Sequence, residues 1–99
     1  MSFNILFMPK NSKKFVKIAK ALADENRFNI FTTISEKGEI ACKEITSMFN
    51  LTQPTISHHL KVLMECGLID FRKDGQWSYF FVNKDAINEY VSSLAKHGS

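Results

Sequence analysis

Two adjacent histidines, His58 and His59, are the side chains most suggestive of chemistry, because imidazole binds metals, transfers protons and forms hydrogen bonds near neutral pH. They lie in the stretch NLTQPTISHHLKVL, residues 50–63. Adjacent residues of a helix point about 100° apart. The pair therefore cannot readily chelate one ion, which requires a spacing of four residues. The two histidines are therefore expected to have separate roles, which depend on the helix that contains them and on what each side of that helix contacts.

The cysteines, Cys42 and Cys66, form neither a disulfide framework nor a CxxC metal pair, since they are 24 residues apart. Free thiols suit a reducing compartment. Lys43 is expected to lower the pKa of the Cys42 thiol, and a thiolate reacts with oxidants and electrophiles. A regulatory thiol at Cys42 therefore stands beside the plainer interpretation of a small residue near a helix start. Cys66 is interpreted as a filler of the core.

Length and composition predict one intracellular domain spanning residues 1–99. A chain of 99 residues buries a thin core, so a partner subunit would help to stabilise it. There is no apolar run of membrane-spanning length, and FNILFMP near the N-terminus is a poor signal peptide. We therefore expect a cytoplasmic protein. Residues 1–23 carry a charge of +5 and the rest of the chain −2, which hints at a polyanionic partner.

The first half of the chain has the period of helices. Residues 12–23 form the first, Asp24 begins the second, and residues 40–49 form a short third. Thr52 is the expected N-cap of a fourth helix that ends at about Glu65. The apolar side of the second helix is predicted to be Phe28, Phe31 and Ile34, and that of the fourth Ile56, Leu60 and Leu63.

The period changes to two over residues 68–82, where two aromatic runs flank an Asp-Gly pair, a strong hairpin signal. Asn83 is the expected cap of a last helix, residues 84–95. The fold class is therefore mainly α with a β-hairpin wing, in the order α-α-α-α-β-β-α. Two short helices joined by a tight turn and followed by a hairpin make a winged helix-turn-helix, with residues 40–66 as the helix-turn-helix and 68–82 as the wing.

The outward face of the fourth helix favours DNA as the partner. Its side chains can all form hydrogen bonds, and its first acid is Glu65, which suits a groove lined with phosphates. The wing tip would add basic contacts, although a solvated turn remains the alternative there. The predicted contacts are Thr52, Gln53, Thr55, Ser57, His58, Lys61, Arg72, Lys73 and Gln76. His59 lies at the boundary and is predicted to be structural, packing with its ring and hydrogen-bonding through one nitrogen.

The sequence also bears on three other functions. An enzyme is not expected, because there is no phosphate-binding glycine loop, nucleophile elbow or paired catalytic carboxylates in the sequence. A winged-helix interaction module without DNA binding remains an alternative, but the polar, acid-free helix argues against it. A thiol-based, redox-responsive repressor using Cys42 is the other alternative.

Four segments give the chain a family resemblance: KALADENRFNIF, EIACKEI, LTQPTISHHLKVLMECGLI and RKDGQWSYF. They resemble the ArsR/SmtB family of bacterial winged-helix repressors over residues 15–92. The resemblance implies a homodimer built from the first and last helices, binding to an imperfect promoter palindrome, repression, and release by an inducer that the sequence does not identify. By position, Gln53, Thr55, Ser57 and His58 would contact DNA.

The resemblance also identifies Arg27 with the arginine of the family's D-P-T-R segment, which is usually structural; Glu25 stands in place of the proline. Many members bind metal through C-V-C on the helix before the turn. Here Ala41 and Lys43 replace the two cysteines, and a single thiolate beside an ammonium is not a soft-metal site. A second family site on the last helix needs a histidine where Ile87 stands. No metal or other cofactor is therefore expected.

The N-terminal arm, residues 1–11, is too apolar for a free tail. We expect it to pack across the dimer interface or against the last helix. The apolar residues concerned are Phe3, Ile5, Leu6, Phe7 and Met8.

Overall fold

The computed structural model describes residues 12–98. The N-terminal arm, with its proposed packing against the dimer interface or the last helix, lies outside these residues. Five helices surround a small sheet. The elements are α1 (Ser12–Leu22), α2 (Glu25–Lys37), β1 (Glu39–Ala41), α3 (Cys42–Met48), α4 (Gln53–Glu65), β2 (Ile69–Asp74), β3 (Trp77–Val82) and α5 (Lys84–Gly98).

The ends of the helices follow local chemistry. Asp24 caps α2, its carboxylate accepting from the backbone N–H of Arg27 at 2.9 Å. Asn83 caps α5 by accepting from the N–H of Ala86 at 3.2 Å. Thr52 occupies the N-cap position of α4, but its side chain forms no capping bond. Its hydroxyl instead lies 2.9 Å from that of Thr55, so the predicted N-cap position is confirmed while the side chain does not cap the helix.

A third strand corrects the predicted order of elements. Residues 39–41 form β1, which pairs antiparallel with β3 in a sheet of order β1-β3-β2. The third helix therefore begins at Cys42, and the order is α-α-β-α-α-β-β-α. Ile40 pairs with Phe80, and both are buried. Backbone bonds to a strand far along the chain outweigh the local helical pattern of residues 40–49.

The core lies between the helices and the inner face of the sheet. On α4, Ile56, Leu60 and Leu63 are buried, as predicted. The prediction for α2 is wrong in part, because Ile30 joins Ile34 in the core while Phe28 is 45% exposed. Helix α2 contacts α1, α4 and two strands, so these neighbours decide which of its sides is buried.

The first and last helices lie against each other. The rings of Phe15 and Tyr90 are 6.1 Å apart, and Lys14 forms an ion pair with Glu89 at 3.0 Å. Helix α5 extends beyond the predicted end at residue 95, to Gly98. Within residues 12–98, no helix combines the length and apolarity that crossing a membrane requires.

Candidate nucleic-acid interface

Helix α4 presents a polar outer face. Gln53, Ser57, His58 and Lys61 are exposed, and Thr55 is half-buried. The first acidic residue of this helix is Glu65, whose carboxylate lies 3.8 Å from the Lys61 ammonium. This exposed pair is weak, so Lys61 remains available to another anion. The structure thus brings the predicted α4 contacts together on one accessible surface.

The wing places its predicted contacts in two different settings. Gly75, with a φ of +62°, forms the turn, and Lys73 and Gln76 are exposed beside it. Arg72 instead donates from Nε to a carboxylate oxygen of Glu39 at 2.9 Å, and a second guanidinium nitrogen binds the other oxygen. Its guanidinium also lies 4.6 Å from the centroid of the Tyr79 ring. Hydrogen bonds from Arg72 lower the pKa of Glu39, so the carboxylate stays charged and retains its partner.

His59 is structural, as predicted. It is 7% exposed, and its Nδ1 lies 3.3 Å from a guanidinium nitrogen of Arg27. Because an arginine N–H can only donate, Nδ1 accepts, and the neutral ring carries its proton on Nε2. Nε2 lies 3.9 Å from the carboxylate of Asp24. Adjacent His58 is exposed, so the two histidines separate as the helical geometry requires.

Arg27 joins three elements at this point. Its Nε donates to the carbonyl of Ala21 at 2.6 Å, and a second nitrogen donates to that of Lys20 at 3.3 Å. These carbonyls belong to the last turn of α1, where helices leave acceptors without internal partners. One side chain therefore connects the end of α1, the start of α2 and, through His59, helix α4.

The burial of His59 makes the stability of the folded protein depend on pH. Desolvation lowers its pKa, and the nearby Arg27 and His58 act in the same direction, whereas Asp24 opposes them. The unfolded chain therefore binds a proton at a pH where the folded protein does not. By linkage, the free energy of unfolding is highest above the ordinary histidine pKa, about 6.5, and falls as the pH decreases below it.

We expect a lower urea midpoint at pH 5.5 than at pH 7.5, and a smaller difference in His59→Asn. Asparagine offers an acceptor near the position of Nδ1 but does not titrate. His58→Asn is the matched control, because it changes the exposed neighbour, whose effect on the His59 pKa is the smallest of those named, and should preserve most of the pH dependence. An identical pH dependence in wild type and His59→Asn would contradict the assignment.

Cys42 differs from the sequence expectation. Burial raises the pKa of its thiol, so the prediction that Lys43 lowers this pKa is wrong. In the sequence, Lys43 is the neighbour of Cys42 and stands where the family has a cysteine. In the structure, its ammonium also lies 4.8 Å from the centroid of the Trp77 ring, a contact that the sequence does not indicate. A protonated thiol is a poor nucleophile, which disfavours the redox alternative. Cys66 is buried, as predicted, and its thiol donates to the carbonyl of Leu63 at 3.3 Å.

The part of the chain that the structure describes contains no group of three or more histidine, cysteine or acidic side chains placed to hold a metal ion. At the position of the family's C-V-C segment, Ala41 ends β1 and Lys43 lies in the first turn of α3. These residues do not fit a soft-metal site, since neither offers a thiolate.

Comparison with known proteins shows the family. The sequence profile of the bacterial regulatory proteins of the arsR family matches residues 24–70, from the cap of α2 into β2. The arsenical resistance operon repressor of Bacillus subtilis (strain 168) is 34% identical over 80 residues, covering 81% of this chain and 76% of the repressor. The chain belongs to the ArsR family. The ArsR segment matched by the profile includes the whole of α3 and α4.

Solved structures show that this ArsR chain has the family's fold. An ArsR-like transcriptional regulator from Rhodococcus sp. RHA1 superposes with a TM-score of 0.83 and 21% identity, covering 91% of this chain and 84% of that one. The homodimeric winged helix-turn-helix DNA-binding domain of a possible ArsR-family regulator from Mycobacterium bovis superposes with a TM-score of 0.72 and 20% identity. It covers 99% of this chain and 91% of the domain.

Proposed function

We propose that this ArsR-family chain is a homodimeric, sequence-specific repressor that binds a two-fold related operator in double-stranded DNA. The observation that carries the proposal is the outer face of α4, where polar side chains follow one another without an acid until Glu65. The same proposal makes the protein a regulator and not an enzyme, acting in the bacterial cytoplasm where the DNA is. The inducer is not part of the proposal.

The proposed contacts divide into base reading and backbone positioning. Gln53, Ser57 and His58 lie on the exposed side of α4, and residues near the N-terminus of a recognition helix reach base edges in the major groove. A glutamine there can pair with adenine through two hydrogen bonds. The remaining contacts position the protein on phosphates. These are Thr52, Thr55, Lys61, Lys73 and Gln76, and Arg72 joins them only if it exchanges Glu39 for a phosphate.

A second copy of this chain is the proposed partner of α1 and α5. Val91 and Leu94 are 55% and 56% exposed, and their spacing of three residues places them on one side of α5. Val16 of α1 is 50% exposed. Apolar side chains on two neighbouring helices form a face that a monomer would leave in water. In the homodimer, this face is covered by its own equivalent.

Binding to the DNA upstream of the protein's own gene tests the repressor. We expect affinity to fall steeply with salt, by roughly 10³-fold between 50 and 200 mM if six or more phosphates are neutralised. Operator DNA should bind more tightly than scrambled DNA of equal length. Deletion of the gene should raise transcription from the bound promoter. Binding no tighter than to scrambled DNA would overturn the proposal, and reduced transcription after deletion would contradict repression.

Gln53→Glu sharpens the same experiment because it is nearly isosteric and introduces a carboxylate at the DNA face. An acid in the first turn of α4 stabilises the helix, so a loss of binding cannot be attributed to unfolding. We expect operator affinity to decrease roughly tenfold or more. Asn29→Asp makes the same nearly isosteric change on the exposed side of α2, outside the predicted DNA contacts and the proposed dimer face, and serves as the matched control.

A further inference from the structure

We propose that Lys43, held over the Trp77 ring, binds a DNA backbone phosphate and extends the DNA-binding face from α4 onto α3 and the wing. The proposal rests on the function proposed above and adds a contact that the sequence analysis did not assign.

The site is a cleft of about 380 Å³ between three elements. Helix α3 contributes Lys43 and Thr46, α4 contributes its first residue, Gln53, and the wing contributes Gln76 and Trp77. None of the residues that line the cleft is acidic. A cleft with an ammonium group, amides and a hydroxyl, and without a carboxylate, favours an anionic occupant.

The Lys43 ammonium has a defined position. It lies 4.8 Å from the centroid of the Trp77 ring, within the range of a cation–π interaction. Within residues 12–98, Lys43 forms no ion pair with a carboxylate. Lys43 is exposed and Trp77 is 41% exposed, so the charge remains accessible at the surface. The indole thus restricts a flexible side chain without neutralising it, which reduces the entropy lost when an anion binds.

The positions of Gln53 and Gln76 favour DNA over a small anion. Both are predicted DNA contacts, and both line the cleft, one from α4 and one from the wing. A duplex that contacts both must cover the space between them. In helix-turn-helix proteins, the helix before the recognition helix crosses the DNA backbone, and α3 is that helix. A phosphate is therefore the group that faces Lys43.

Lys43→Gln tests the assignment by the salt dependence of operator binding. A homodimer loses two phosphate contacts, so the slope of log affinity against log salt should become shallower by about 1.8. Affinity at 0.1 M salt should decrease roughly tenfold. The ratio of operator to scrambled-DNA affinity should stay the same, because a phosphate carries no sequence information. Lys37→Gln removes the same charge from the exposed end of α2, away from the cleft, and should change neither quantity.

The role of the ring has its own test, in a double-mutant cycle. Trp77→Leu should weaken binding, and its effect should be smaller when Lys43→Gln is already present. Additive losses would overturn the positioning role of Trp77. Circular dichroism establishes that each variant is folded.

The outcomes separate the two proposals. If the wild-type protein does not bind operator DNA specifically, the repressor function fails and the phosphate contact with it. If the wild type binds and Lys43→Gln retains the full salt slope, only the Lys43 assignment is overturned.

Trp77 is the single tryptophan of the chain, so its fluorescence emission should change when operator DNA covers the cleft. This change should be smaller in Lys43→Gln.

Discussion

Leu94→Glu is expected to separate the proposed homodimer into monomers. Operator affinity should then decrease at least about a hundredfold, because a monomer binds one half-site only and loses the second DNA contact that holds a dimer in place. Leu94 is 56% exposed, as is its neighbour on the same side of α5, Val91, at 55%. In the homodimer, the variant would bury two carboxylates in an apolar interface, where an unpaired charge is strongly unfavourable. Sedimentation velocity measures the dimer, and fluorescence anisotropy with labelled operator measures the affinity.

Ser92→Glu is the matched control. It places the same carboxylate on the same helix, about 200° around the axis from Leu94. Ser92 is exposed, so both variants should keep the monomer fold. We expect Ser92→Glu to remain dimeric and to bind operator as the wild type does. If Leu94→Glu remains a dimer and binds operator with the affinity of the wild type, then α5 does not form the dimer interface.

Arg27→Leu is expected to destabilise the folded protein by about 2 kcal/mol, since hydrogen bonds from a charged donor contribute about that much. The change removes the donors to the carbonyls of Ala21 and Lys20 and to Nδ1 of His59. His59 is buried, so water cannot freely replace the donor that its Nδ1 loses. A decrease of this size lowers the melting temperature of a chain this short by roughly 10 °C. Urea unfolding at one fixed protein concentration measures the difference.

Two further variants define the origin of this loss. Arg27→Lys keeps the charge but lacks the planar set of donors, so it should recover only part of the stability. Asn26→Leu changes an exposed neighbour in the same turn and should have little effect. Arg27→Leu with the stability of the wild type would mean that the three hydrogen bonds contribute nothing net.

Local chemistry made much of the fold predictable. The Asp24 cap, the turn at Gly75 and the apolar side of α4 depend on residues within a few positions of one another, and each lies where the sequence indicates. The separation of His58 from His59 follows from helical geometry alone. The exposed face of α4 was therefore predictable as a surface, while the DNA contacts assigned to it stay predictions.

Features that depend on distant parts of the chain were not predictable. Strand β1 exists because residues 39–41 pair with β3, about 40 positions later. The same pairing determines that Cys42 begins a helix and is half-buried, and desolvation then raises the pKa of its thiol. The contact between Lys43 and Trp77 likewise joins residues that are neighbours only after folding.

Strand β1 also constrains what the wing can do. Its last residue, Ala41, pairs with Tyr79 and is followed directly by α3. The base of the hairpin is therefore bonded to the segment that begins the helix-turn-helix, and the two cannot swing apart without breaking the sheet. The sheet therefore limits changes in the distance between the wing and α4. In the proposed complex, we expect this limit to favour DNA whose groove widths fit that distance, so that the protein prefers one DNA shape over another at base pairs that it does not touch.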